Sequence, residues 1–278
     1  MALSTVNGHE SKSPMADALI GHSGFVGSAL LRQTEFGALF RSSNIGEIGH
    51  RFFGTIVCAG APAQKWIANR DPQADRLNIE GLIAHLETVT CETFVLVSTV
   101  DVFAHPIGVD EFSPVEESGL HAYGLHRRML EQFVQHRFKS HLIVRLPGLV
   151  GPGLRKNILF DLHNGNNLHA IDSRGVFQFY PTVNLWYDIE TAKKAGLSLV
   201  HLTAEPISVG DAAAKGFGMS FEQALATPPA AYDMRTRHSA IFGATGSYQY
   251  SRREVLQAIR AYAQSEPVTL AQPLGRVA

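Results

Sequence analysis

Three glycines, Gly21, Gly24 and Gly27, recur at three-residue spacing within 18–30 (ALIGHSGFVGSAL), between a short apolar run and an amphipathic continuation. Glycine lets the chain turn and lets a ligand approach the backbone, and a helix starting near Phe25 would aim its positive end at an anion. That is the chemistry of holding a nucleotide pyrophosphate. Further on, Tyr123 and Arg127 stand at i and i+4 in YGLHR, on one face of a helix. A tyrosine with its ordinary pKa of about 10 is a poor proton shuttle at neutral pH, and a cation one turn away favours the phenolate. Between the two motifs, 95–103 (VLVSTVDVF) is a buried-strand pattern that finishes in hydroxyl residues. Thr99 can hydrogen-bond a carbonyl or alkoxide oxygen, Asp101 shares its face, and strand alternation turns Ser98 the other way.

The elements that must position these groups follow from hydrophobic periodicity. A first strand ends near Ile20, a short one at 38–40 runs into Arg41-Ser42-Ser43-Asn44, and 55–59 (TIVCA) reads as a third. Helical periodicity over 75–89, through Leu77, Ile79, Leu82, Ile83 and Leu86, leads to a fourth strand at 94–98, a helix at 122–138 and a strand at 142–146. Strands alternating with helices imply an α/β fold with a doubly wound parallel sheet. Past Gly151-Pro152-Gly153 the alternation weakens up to about residue 235, where a small C-terminal substrate lobe would be built, and 251–264 reads as a closing helix with Ser251 as its N-cap. The expected organisation is a loose tail at 1–14, with Met15 as a candidate start, a dinucleotide-binding core at 15–155, and at 156–278 the lobe with returning C-terminal elements.

Composition narrows the function classes. The 278 residues are 45% hydrophobic and 18% charged, and 24 Lys and Arg against 25 Asp and Glu leave a formal charge of −1, so no broad basic surface invites nucleic acid or anionic membrane. Residues 1–14 lack the apolar core of a signal peptide, and no run of about 18 apolar residues marks a membrane span. Cys58 and Cys91 form no disulfide framework, which fits a reduced, cytoplasmic home. The 13 His show no metal-ligand spacing with a carboxylate partner, so no metal is expected, and no GxSxG elbow is present for a hydrolase.

The order of glycine loop, strand ending in Ser/Thr, and Tyr with a cation four residues later resembles the extended short-chain dehydrogenase/reductase superfamily. The string STVDVF is most similar to the STDYVF of dTDP-dehydrorhamnose reductases, and RLPGLVGPG at 145–153 resembles the RxxxxYGPG turn of extended members. The resemblance spans about residues 16–155 and implies a Rossmann-type fold. It implies an NAD(P)-dependent oxidoreductase, epimerase or dehydratase acting on a nucleotide-activated sugar. Tyr123 would exchange the proton, Thr99 would polarise the oxygen, and Arg127 would hold the cofactor and tune the tyrosine.

The cofactor would lie along Gly21, Ser23, Gly24, Phe25, Val26, Gly27, Arg41, Ser42, Ala59, Gly60, Asn78, Tyr123, Arg127 and Pro147. Arg41 stands where an acidic residue would hold the ribose hydroxyls of NAD, which places NADP(H) ahead of NAD(H). Asp101, Asn157 and Trp186, with Tyr187 and Asp188, lie where relatives bind the sugar nucleotide, or else belong to the lobe core. The helix carrying Tyr123 would form a homodimer through Leu130, Phe133, Val134 and Phe138, or bury them in the core.

One departure opens a second reading. The family's lysine is here Arg127, a wide planar fork in place of a compact ammonium. A catalytically quiet dinucleotide-binding protein, serving as a sensor or assembly partner, is the alternative.

Overall fold

In this computed structural model residues 15–269 are described, so the expected tail at 1–14 lies outside the described residues. Strand β1 is Ala18–Ile20, β2 Ala38–Phe40, β3 Phe52–Cys58 and β4 Thr90–Thr99. With the strands His141–Leu146 and Leu199–His201 they form one six-stranded sheet, in the order β2, β1, β3, β4, His141–Leu146, Leu199–His201. Every pairing in it is parallel. From β1 the chain moves out to β2 and then crosses back to β3 on the other side. The crevice beyond the carboxyl ends of β1 and β3 is therefore the switch point where open α/β sheets bind ligands.

Period-two alternation divides the core between the two sheet faces. Phe94 and Leu96 point to one face, where Ile79 and Leu86 of helix α3 (Pro72–Leu86) meet Leu130 and Val134 of helix α4 (Ala122–Arg137). Leu19, Val57 and Val95 point to the other, against Leu30 of helix α1 (Phe25–Leu31) and Leu185 and Ile189 of the helix Leu185–Lys194. Each such side chain contributes about 1.5–3 kcal/mol by leaving water. The segment after residue 155 thus returns a helix and the sixth strand to the sheet, and the rest of it builds the lobe. There the helix Arg252–Ser265, closed by a reciprocal Ser251–Glu254 capping box, packs Val255, Ile259 and Tyr262 against Phe179 and Leu159.

Several boundaries differ from expectation. Helix α3 starts at Pro72 rather than 75, because Asp71 caps it by accepting from the Ala74 amide at 3.1 Å. In that register Leu77, two residues and about 200° from Ile79, is exposed instead of lining the apolar face. The strand pattern expected through Phe103 stops at Thr99, where the chain makes a 3-10 turn over Val100–Val102. Helix α2, Lys65–Arg70, was not expected at all: six residues are too few to show a period. Cys58 and Cys91 are unpaired, and among the described residues no helix is long and apolar enough to cross a membrane.

Candidate active site

At the crevice, Gly21 leaves β1 with φ +84, a left-handed conformation that favours glycine. Its amide donates to the Phe40 carbonyl at 2.8 Å, and the Ala59 amide donates to the Ile20 carbonyl at 2.9 Å, pinning the turn between β2 and β3. A methyl on Gly21 would run into the Ala59 carbonyl, and one on Gly27 into the Gly21 carbonyl. Only glycine lets α1 sit this close to the turn, with Gly60 packed beside Ile20 on the third side. Ser23 and Gly24 are exposed, and Gly24 caps α1 without a side chain, so the free amides of the first turn face the crevice mouth. Phe25 and Val26 send their side chains into the core, leaving only their backbone to such a role. Arg41 follows β2 directly at the rim; its Nε donates to the Ser43 hydroxyl at 2.9 Å, and it and Ser42 are exposed.

Tyr123 is positioned by backbone contacts. The amide of Gly124 donates to Nδ1 of the cap residue His121 at 3.0 Å, and the amide of Tyr123 to Oδ1 of Asn69 at 3.0 Å. A methyl on Gly124 would strike the Asp101 carbonyl, so the first turn of α4 rests directly on the turn that follows β4. That seats Tyr123 over the turn where Thr99 Oγ1 accepts from the Asp101 amide at 3.2 Å. Glu131, fully buried, ties the same helix to the sheet. It accepts from Ser98 at 2.6 Å, from Arg145 at 2.9 and 2.7 Å, and from Arg128 at 3.0 Å. Ser98 is thereby turned away from Thr99, and Pro147 is buried just beyond Arg145.

Two expectations about the tyrosine are corrected. Burial, reinforced by Asp101, raises its pKa, and the opposing pull of Arg127, Thr99 and Lys65 does not cancel it. The group at rest is a neutral phenol, a donor rather than the phenolate that the sequence pattern implied. Arg127 also is not free to hold a cofactor. Its guanidinium lies 4.0 Å from the Tyr123 ring centroid, and its two terminal nitrogens donate to Asp75 and to the Pro62 carbonyl. It is 3% exposed, and Asp75 also receives His126 at 2.7 Å. A planar fork finds these two acceptors at once, as a lysine would not.

Other expected positions fall elsewhere. Asn78 is exposed and lines a groove of about 330 Å³ between α2 and α3; Asp75, one turn earlier, is the residue that points inward. Asn157 spends its amide capping the helix Ile158–Asn164 and bonding the Leu149 carbonyl at 2.8 Å. Trp186 packs edge-on to Phe36 behind the sheet, and Asp188 is buried against Tyr180 and Tyr250. Tyr187 is exposed. Leu130, Val134 and Phe138 are core, with Phe133 packed beside them, so they offer no dimer surface. Among the described residues no cluster of three or more His, Cys, Asp or Glu could hold a metal.

Asp101 does lie against the first turn of α4, but with companions that sequence reasoning missed. Lys65 of α2 donates to its Oδ1 at 2.7 Å, and the Tyr232 hydroxyl reaches the same oxygen at 3.2 Å. Tyr232 comes from the lobe, where its ring stacks on Phe177. Lys156 donates to the Ala63 carbonyl, and burial and Arg127 lower its pKa. The one available signal for Lys65 was its place as the first charged residue after Arg51, just past β3.

No protein-family model and no curated protein matches the sequence. Solved structures do. A dTDP-4-dehydrorhamnose reductase from Bacillus anthracis in complex with NADP is 16% identical, with a TM-score of 0.66 over 91% of this chain and 99% of that one. The Bordetella bronchiseptica enzyme WbmG in complex with NAD is 14% identical, with a TM-score of 0.68 over 94% and 97%. A UDP-galactose 4-epimerase is 15% identical, with a TM-score of 0.64 over 90% and 98%. At such identities the likeness is one of fold: the chain shares with these structures a Rossmann-like α/β fold built on a parallel six-stranded sheet.

Proposed function

We propose that the protein is an NADP(H)-preferring oxidoreductase or epimerase acting on a nucleotide-activated sugar, with Tyr123 as proton donor and Thr99 beside the substrate oxygen. The observation that carries the reading is the seating of Tyr123's helix turn on the turn after β4, with Gly124 against the Asp101 carbonyl and Thr99 at its start, on the same sheet edge as the glycine turn. The residues at that turn suit a dinucleotide: a cradle at Gly21 and Gly27 that a Cβ would fill, free helix amides, and Arg41 with Ser42 at the rim for a 2′-phosphate. A bound reduced nicotinamide would supply hydride to the sugar carbonyl. Tyr123, kept neutral by burial, then gives its proton to the oxygen, while Thr99 orients the phenol and hydrogen-bonds the same oxygen. A neutral phenol favours the reductive direction, since a proton donor is what a carbonyl gaining hydride needs.

The burial of Arg127 favours one other reading, a dinucleotide-binding protein without turnover. Fluorescence titration with NADPH and NADH tests both. Tighter binding of NADPH that is lost in Arg41→Ala, followed by NADPH consumption with a keto-sugar nucleotide, supports the enzyme. Binding with no turnover across such substrates supports the quiet protein, and no binding of either nucleotide ends both readings.

A further inference from the structure

Arg127 is held by two acceptors, Asp75 and the Pro62 carbonyl, and both residues line the groove of about 330 Å³ between α2 and α3. None of the groove's lining residues belongs to the glycine turn or to the Tyr123 and Thr99 centre. It is a separate cavity that shares a wall with the support of Tyr123.

Two charged groups in it are unused. Asp75 is 5% exposed and offers one oxygen, Oδ2, to both Arg127 and His126, while no described residue donates to its Oδ1. A carboxylate accepts at both oxygens, so a buried one that leaves an oxygen idle beside a cavity lacks a partner. On the α2 side, Arg70 lays its guanidinium 4.9 Å over the Trp66 ring and makes no ion pair or hydrogen bond among the described residues. Asp71, next in the chain, turns its carboxylate to the Ala74 amide instead. Ile67, Ala68 and Ala74 add apolar surface to the walls.

These groups define what fits. Arg127 already balances the charge of Asp75, so a second cation at Oδ1 would be repelled by the guanidinium, and an uncharged hydroxyl is the donor that suits. Arg70 is a planar fork with free donors and suits a carboxylate or phosphate. The volume is at the low end for ligand sites, which limits the ligand to a small molecule. We propose that the groove between α2 and α3 is a second binding site, for a small hydroxylated oxyanion whose hydroxyl donates to Asp75 Oδ1 and whose charge meets Arg70, and that its occupancy is felt at Tyr123 through Arg127.

The link is short. The Arg127 guanidinium lies 4.0 Å from the Tyr123 ring centroid and its Nε has no partner, so beyond a 3.4 Å contact with the Tyr123 carbonyl only Asp75 and Pro62 fix it. A hydroxyl bonded to Oδ1 polarises the carboxylate that holds the guanidinium against the ring. The site stands independently of the reading of Tyr123 as proton donor.

The test uses the full chain without cofactor, with tryptophan and tyrosine labelled for NMR. The chain has two tryptophans, so Trp66→Phe assigns the Trp66 indole, and Tyr123→Phe assigns the Tyr123 ring. The probes are glycerol 3-phosphate and glycerate; the controls, glycerol and methyl phosphate, carry only the hydroxyls or only the charged group. Both probes should shift the Trp66 and Tyr123 signals saturably, binding at least about tenfold more tightly than either control. Arg70→Gln should weaken the probes about tenfold or more. Ala74→Leu, which fills the groove from an exposed position on α3, should abolish the response, and neither variant should change the unfolding midpoint. Saturation by neither probe overturns the site, as does binding that survives Ala74→Leu and is lost in Arg41→Ala, which would put the anion at the glycine turn. Controls that bind as well as the probes overturn the ligand class, and Trp66 shifts with an unmoved Tyr123 signal overturn the link to Tyr123.

Discussion

The two ends of the crevice are built by opposite means. At the glycine end the fit is one of backbone against backbone: Gly21, Gly27 and Gly60 are required because there is no room for a Cβ. At the tyrosine end the fit is made by charged and polar side chains brought from far apart in sequence, with Arg127 reaching Asp75 and Pro62, and Lys65 reaching Asp101. The first kind of construction tolerates no substitution but leaves its mark in a short string. The second joins partners from distant segments, as Arg127 and Asp75 do, and leaves no local mark.

Substitutions can break or sharpen this contrast. The largest effect is expected for Tyr123→Phe, with turnover of NADPH and a keto-sugar nucleotide falling about 10²–10⁴-fold while NADPH binding holds; unchanged turnover would discard the tyrosine mechanism. Gly27→Ala should cost about 3 kcal/mol or more in urea unfolding and abolish NADPH binding, through collision with the Gly21 carbonyl. Glu131→Gln leaves Arg145 buried without its carboxylate and should cost about 3–5 kcal/mol by the same measurement. Gly24→Ala, whose Cβ would lie 3.4 Å from the nearest atom, should cost about 1 kcal/mol, and a loss as large as that of Gly27→Ala would undo the steric argument.

Acid should act on the side-chain end of the molecule as well. Burial lowers His201 from 6.5 to about 4, so the unfolded chain binds its proton first, and stability present above pH 6.5 declines as pH falls toward 4. Glu131, whose pKa Arg145, Ser98 and Arg128 lower from its ordinary 4.5 despite burial, adds a loss below that pH. Both signs agree, and a thermal unfolding midpoint that held constant from pH 7 to 4 would contradict them.

The same contrast explains what could be read beforehand. The sheet, its two helix layers and the glycine turn were legible because alternation and steric necessity are local properties. So was the three-residue strand β2, through the polar run that follows it. Asn78, expected along the cofactor, is exposed on α3 while Asp75 one turn earlier is buried, because the partners that draw Asp75 inward, His126 and Arg127, lie some fifty positions away. Trp186 and Asn157 carry residue types suited to ligands, yet one fills a gap against Phe36 and the other caps a helix, roles fixed by tertiary neighbours. Lys65 and Tyr232 meet across 167 positions, a separation at which residue type says nothing of contact.

Among the described residues the sheet ends at β2, with Arg41 and Ser42 exposed at its rim. A ligand reaching that edge would have protein on one side and water on the other, so its grip there would be ionic more than apolar. Screening over a Debye length of about 10 Å at 0.1 M salt would then weaken it, and affinity for a doubly anionic adenosine end would track ionic strength more steeply than affinity for one without the extra phosphate.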